Sequence, residues 1–334
     1  MQASLGSEFD PAQPLPPSST ASGPSESAGR RIARGLGRLI PFVPALIPAV
    51  IIVGIIGALL SAGLQANLGR TFFSFVWNPA QNDWGIGVFL VGSFLTAIPA
   101  LTLSMLIGLG LAIASTAFLP RFVSRWLDPF VDLLAGIPSV VYGIWAYVTL
   151  RPFFSDTFNP WVHLHFGFVP GVGGRLPSTG GQGLPLAIII LTLMALPITT
   201  LLIRDSLRSV PQDLWESGLA LGATRWEVVR HIALPYSNRG VLSAALLGFG
   251  RAFGETVAVA MLIGGASTLP TSVFSTSNTI PATMFSLLDS ARNNSHFLSA
   301  LADMGLVLLA ITLVVNILGR RLVSSLYAYE MAGL

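Results

Sequence analysis

The chain has 334 residues, of which 52% are hydrophobic and only 10% charged, and its mean hydropathy is +0.72. A soluble domain carries about 25% charged residues, so this composition excludes a fully water-facing surface and points to a lipid-facing one. All 18 basic residues are arginine, the formal net charge is +3 and there is no cysteine. That balance suits arginines that set membrane topology rather than a nucleic-acid partner, and it excludes disulfides, zinc–thiolate sites and thiol catalysis.

Residues 1–29 are rich in Pro and Ser, carry Glu8, Asp10 and Glu26, and show no hydrophobic period. They read as a disordered tail. The first apolar run after them is too long for a signal peptide and reads as a retained anchor. A membrane helix needs about 20 mostly apolar residues. The runs that qualify are Leu39–Gly63, Trp84–Pro120, Leu133–Leu150, Leu184–Ile203, Gly240–Gly265 and Phe297–Gly319. Prolines at 41, 44 and 48 predict bends in the first run, and Pro99 predicts one in the second.

Trp84–Pro120 is 37 uncharged residues, enough for one long span or two short ones. Arginine counting separates the two. One span leaves thirteen arginines on the side of both termini, four (Arg70, Arg151, Arg175, Arg292) on the other, and Arg251 within a span. Two spans leave seven and ten. The positive-inside rule therefore predicts an all-α integral membrane protein with six transmembrane helices and both termini cytoplasmic.

The loop from Arg204 to Arg239 joins spans four and five. Ser209-Val210-Pro211-Gln212 predicts a helix start with a capping box, running to about Leu221. Gly222 fits the left-handed position that ends a helix. Thr224-Arg225-Trp226-Glu227 is a second capping-box pattern. Trp226, Val229 and Ile232 recur at spacing three and predict one shared face, and Leu234-Pro235 is expected to end that helix. By pattern alone the pair could lie on lipid or dock a protein.

Glu216, Ser217, Gly218, then Gly222, then Ile232, Leu234 and Pro235 resemble the "EAA" loop of ABC importer permeases, with Ser217 and Gly218 in place of two alanines. The resemblance implies a type I permease fold and coupling helices that fit a groove on an ATP-hydrolysing subunit. Glu216, Ser217, Gly218, Gly222, Thr224 and Trp226 are the expected coupling residues. Two further blocks resemble phosphate permeases: Leu134-Ala135-Gly136-Ile137-Pro138-Ser139-Val140-Val141-Tyr142-Gly143 and Gly250-Arg251-Ala252-Phe253-Gly254-Glu255-Thr256. The continuation to Gly264 is closer to the PstC branch than to PstA. The implied domains are an N-terminal span and external loop over 30–85, a permease domain over 86–326 and a C-terminal tail over 327–334.

Arg251 and Glu255 are four apart, which on a continuous helix places them on one face. A lone arginine at the bilayer centre costs at least about 2.5–3.5 kcal/mol, so Arg251 is expected to face protein or water. Two roles stay open: a self-neutralising structural pair, or Arg251 lining a phosphate path with Glu255 tuning its charge and Thr256 beside them. An arginine fork suits phosphate oxygens. Gly250 and Gly254 predict a small-residue face for a packing helix.

There is no Gly-x4-Gly-Lys-Ser/Thr phosphate loop, so ATP hydrolysis is expected on another subunit, and no His-Glu-x-x-His or Gly-x-Ser-x-Gly motif occurs; no catalytic residue, cofactor or metal is expected here. His163 and His165, with Asp156 nearby, read as solvated loop residues. Asp303 in span six is either functional or a hydrogen-bonded structural acid, and Asp132 is expected to mark the entrance of span three. The resemblance implies a permease subunit of a phosphate importer in a bacterial inner membrane. Its expected partners are a PstA-like second permease, an ATPase dimer, an external phosphate-binding protein and lipid. The alternatives are a molybdate or sulfate importer, an intramembrane protease using Glu255 and Asp303, and a pure membrane scaffold.

Overall fold

The computed structural model describes residues 42–63, 74–81, 83–172 and 180–332; the expected tail over 1–29 lies outside them. The chain divides into Met1–Ile55 and Ile56–Leu334. Within the first unit, the described residues form the first part of α1 (Phe42–Gly63), whose side chains at Leu46, Ile47 and Val50 are exposed. Lipid rather than water suits such a surface.

In the second unit, a two-stranded ribbon (β1 Trp77–Asn78, β2 Asp83–Trp84) precedes the helices. Trp77 and Trp84 meet edge to face and pack onto Phe89 and Phe297. Then follow α2 (Gly87–Ile113), α3 (Arg121–Ala135), α4 (Ser139–Trp145), α5 (Arg151–Phe153), α6 (Asn159–Phe166) and α7 (Leu184–Arg208). The remaining helices are α8 (Gln212–Ala220), α9 (Arg225–Val228), α10 (Leu234–Phe253), α11 (Val257–Leu262), α12 (Ile280–Asn293) and α13 (Ser295–Ala332).

Among the described residues, three helices are long and apolar enough to cross a membrane: Gly87–Phe118, Leu184–Arg208 and Ser295–Leu322. The first confirms that Trp84–Pro120 holds one helix, which passes through Pro99 and ends in a π turn at Ala114–Phe118. The third expected span is different. It straddles a bent pair, Arg121–Ala135 and Ser139–Phe166, that turn by 94° at Gly136-Ile137-Pro138, with most of it in the second arm. The residue before a proline is pushed out of the helical region, which explains the break. Beyond it, helix continues through two π turns to Phe166, so His163 and His165 sit on α6 and not in a loop. The expected last span likewise runs on past Gly319 to Ala332.

The fifth expected span is interrupted. The helix α10 runs to Phe253 and is capped by Gly254, whose N–H still donates to Gly250 O at 3.1 Å; Glu255 and Thr256 lie beyond it, and the short α11 follows. A loop then returns to α12, closed by bonds from Ser277 N to Ile263 O and from Ala266 N to Ser277 O, each 3.1 Å.

The centre is built from α2, α7 and α10. Helices in lipid associate through small side chains and inter-helix hydrogen bonds, and both occur here. A β-carbon on Gly108 would come within 2.9 Å of Thr199 Oγ1, and one on Gly248 within 2.7 Å of Thr199 Cγ2. Across the same seam, Thr192 Oγ1 donates to Ala100 O at 3.4 Å and Thr199 Oγ1 to Ser104 O at 3.3 Å.

Candidate functional site: the Arg204–Arg239 loop and the Arg251 stripe

The loop forms at the ends of α2, α3 and α7. The predicted capping box at Ser209 is absent. Ser209 terminates α7 and donates to Ser206 O at 2.7 Å, while Pro211 opens α8 with no side-chain cap. A hydroxyl that can bond back to its own helix competes with capping the next one. The second box is present in full. Thr224 Oγ1 accepts from Glu227 N at 3.3 Å, and Glu227 Oε2 accepts from Thr224 N at 2.7 Å and from Thr224 Oγ1 at 2.8 Å. Those bonds hold the Glu227 carboxyl below its ordinary pKa, the backbone bond contributing most.

Gly222 has φ +87°, with nothing near the place a β-carbon would occupy. Its requirement is conformational, since this region is costly for other L-residues. Gly218 is needed for space. A β-carbon there would lie 2.8 Å from Ile232 Cδ1 and 3.0 Å from Val228 Cγ2. Its small size therefore serves packing of α8 onto the next helix. Glu216 and Ser217 are at the loop surface, Glu216 accepting from Gln212 Nε2 at 2.8 Å. The shared face expected from Trp226, Val229 and Ile232 is shifted: Val228 and Val229 are buried, Ile232 is partly buried and Trp226 is exposed.

Pro235 does not end the helix. A π turn at Val229–Ala233 carries α9 directly into α10. Proline lacks the N–H of the helical ladder, and the widened turn just before it accommodates that loss. The loop tip therefore presents Leu219, Leu221 and Trp226 to solvent, Leu221 being 89% exposed.

Charge pairing fixes the loop to the bundle. The Arg204 side chain is buried, with Nη1 3.1 Å from Asp128 Oδ1 and Nη2 3.3 Å from Asp132 Oδ1. Arg208 shares Asp128. Arg225 Nη1 donates to Ala117 O at 3.3 Å, satisfying the end of the α2 helix. Sequence reasoning assigned Arg204 and Arg208 to topology alone and left Asp128 unnamed. Matching i,i+4 spacing of the two acids on α3 and the two arginines on α7 was the available signal.

The structure separates Arg251 from Glu255. Because α10 ends between them, they do not share a helix face. Arg251 lies on an exposed stripe with Leu247, Gly250 and Gly254. Glu255 is buried and turns the other way, its Oε1 accepting from Ala258 N at 3.4 Å in the first turn of α11. A carboxylate suits the positive end of a helix. Thr256 donates to Gly254 O at 3.2 Å. Among the described residues, no helix packs on the Gly250/Gly254 face, where a β-carbon at Gly250 would meet nothing. The glycine that does admit a neighbour is Gly248.

Two of the motif blocks are brought together. A β-carbon on Gly143 in α4 would lie 3.0 Å from Met261 Sδ and 3.2 Å from Ala258 Cα. Asp303 is buried on α13, and neither carboxylate oxygen has a hydrogen-bond partner. No cluster of His, Asp or Glu among the described residues is arranged to hold a metal ion.

Residues 104–326, which contain all three blocks, match the family described as "binding-protein-dependent transport system inner membrane component". The chain belongs to this family. Among its relatives, the phosphate transport system permease protein PstC of Mesorhizobium japonicum is 36% identical, over 74% of this chain and 77% of that protein. The PstC 1 protein of Mycobacterium tuberculosis is 35% identical over 74% and 75%. A probable ABC transporter permease of Bacillus subtilis, YqgH, is 33% identical over 90% and 94%. A chain of a bacterial alginate ABC transporter superposes with a TM-score of 0.57 at 18% identity, covering 88% of this chain and 98% of that one. A chain of the MetNI methionine ABC transporter gives 0.52 at 18% identity, covering 75% and 99%. These two likenesses show a fold shared with chains of ABC transporters. As a member of this inner-membrane family, the chain is a multi-pass transport component and not an enzyme.

Proposed function

We propose that this chain is a PstC-like permease subunit of an ATP-driven phosphate importer, forming half of the translocation path. The observation that carries the reading is the Leu247–Gly250–Arg251–Gly254 stripe, an exposed arginine on a membrane helix that no described helix of its own chain covers. An arginine at membrane depth does not face lipid when protein or water is available. A second, PstA-like permease placed against this stripe would enclose a cavity with Arg251 on its wall. Phosphate carries one to two negative charges at neutral pH, and the guanidinium fork matches its oxygens. The relatives named for phosphate transport support this cargo over molybdate or sulfate.

Glu255 has a positioning role in this reading: it holds the start of α11 so that Arg251 stands at the end of α10, and Thr256 completes the break. ATPase subunits dock on the loop tip around Glu216, Ser217, Leu221 and Trp226, with Gly218, Gly222 and Thr224 shaping that surface. ATP-driven closure of the ATPases then rocks the spans between two states. An external binding protein delivers phosphate on the opposite side. The loop and both termini are cytoplasmic, and the permease domain runs over 86–326.

Phosphate uptake by cells carrying Arg251→Gln tests the reading. Uptake is expected to fall at least about tenfold, as for loss of a strong charge-assisted contact, while the variant still co-purifies with its ATPase. Normal uptake overturns the role of Arg251. Transport of molybdate or sulfate in place of phosphate by the unaltered complex overturns the cargo.

A further inference from the structure

The helix α3 is strongly amphipathic. At 100° per residue, Phe122, Trp126, Pro129, Phe130 and Leu133 fall on one side, and Ser124, Arg121, Arg125, Asp128 and Asp132 on the other. Its apolar side is uncovered: Phe122 is 73% exposed, Trp126 70%, Phe130 61% and Leu133 69%. With Val123 and Leu127 these side chains form one continuous apolar surface, to which no charged residue contributes. Val131 is buried and Asp128 is bound to Arg204, so α3 is anchored to the bundle along a different arc.

The orientation of α3 says what covers the apolar side. The helix stands at 94° to Ser139–Phe166, the arm that holds most of the expected third span. A helix perpendicular to a span runs along the membrane plane. It also sits at the end of the bundle that carries the 204–239 loop, since Arg121, Arg125 and Asp128 line one cavity with Arg208, Gln212 and Trp215. Arg121 and Arg125 are exposed and make no ion pair among the described residues. Aromatic and leucine side chains on one face with arginines beside them are the chemistry of a helix seated at the lipid–water boundary.

We infer that α3 is an in-plane membrane anchor. Its Phe122–Trp126–Phe130–Leu133 face lies among the acyl chains of the leaflet on the loop side, and Arg121 and Arg125 contact anionic headgroups. Because α3 also holds Arg204 and Arg208 through Asp128, it ties the base of the loop to the membrane surface. The inference rests on the membrane fold and not on the cargo.

The chain has no native cysteine, so single nitroxide labels can be placed at Phe122→Cys, Trp126→Cys and Phe130→Cys. All three sites are exposed, and three separate labels guard against a single poorly folded variant. The purified importer complex is reconstituted in nanodiscs containing phosphatidylglycerol, and label collisions with oxygen and with the water-soluble nickel reagent NiEDDA are measured. Oxygen collisions exceeding NiEDDA collisions at all three sites are expected. Greater NiEDDA access places the face in water and overturns the inference. Shielding from both reagents places it against another protein and also overturns it. Replacing Arg121 and Arg125 together by glutamine is expected to move the labels toward water in anionic nanodiscs and not in neutral phosphatidylcholine ones. An equal effect in both overturns the headgroup contact.

Discussion

Arg204 on α7 and Asp128 on α3 form an ion pair at 3.1 Å, with the arginine side chain almost fully buried at the base of the loop. This contact joins the helix that enters the loop to the helix that precedes the bent third span. Any force on the loop therefore reaches α3 directly.

Removing Asp128 leaves the buried Arg204 with only the half-exposed Asp132 at 3.3 Å and the exposed Asp205 at 3.8 Å, a loss smaller than about 3–5 kcal/mol, the cost of a buried charge left wholly unpaired. Asp128→Ala is expected to lower thermal stability of the purified protein by several degrees. The double variant Asp128→Leu/Arg204→Met is expected to recover much of the loss, because it removes both charges together. A double variant no more stable than Asp128→Ala would show that the pair is not the source of the effect. Asp132 is half exposed, so Asp132→Asn is expected to be nearly silent.

Gly222→Ala places a β-carbon in a left-handed conformation at a cost of about 1–2 kcal/mol. Gly222→Asn is expected to be milder, because asparagine tolerates that region. Gly218→Val fails for a different reason, overlap with Val228 and Ile232. All three are read by co-purification with the ATPase, with Gly222→Asn retained best, Gly222→Ala next and Gly218→Val worst. Equal retention by all three would remove the packing argument.

The Thr224–Glu227 box closes the first turn of α9 by satisfying two of its free N–H groups. Thr224→Ala is expected to raise amide exchange over residues 225–228 relative to the native chain. The bonds to Thr224 lower the Glu227 pKa, so their stabilisation is present above the unfolded value near about 4.3 and is lost as pH falls through the lowered folded value. The exchange difference between native protein and Glu227→Gln should therefore be full at neutral pH and shrink only in acid. A difference that stays unchanged as the solution is acidified would contradict this origin.

Separation of Arg251 from Glu255 predicts independent effects. Arg251→Gln is expected to impair uptake without lowering stability. Glu255→Gln is expected to lower stability, through the start of α11, more than it lowers uptake. Reversed behaviour, or rescue of Arg251→Gln by Glu255→Gln, would restore the direct pair read from their spacing.

Sequence by itself determined the features whose causes are local or compositional. Low charge and long apolar runs set the membrane class, and arginine bias chose one helix for Trp84–Pro120. Thr224, Glu227 and Gly222 determined their own conformations because a capping box and a positive φ depend on a few adjacent residues. Tertiary structure decided what depends on distant partners or on a choice between competing local bonds. Spacing placed Arg251 and Glu255 on one face only while the helix was assumed unbroken; in the fold the helix ends after Gly254, and beyond it α11 packs against α4. Pro235 read as a stop because its missing N–H is visible in sequence, whereas the π turn that absorbs it is set by burial of Val228, Val229 and Ala233. The Asp128–Arg204 contact required the 94° bend that brings α3 beneath α7. Composition made both charged, but only the fold could bring them together.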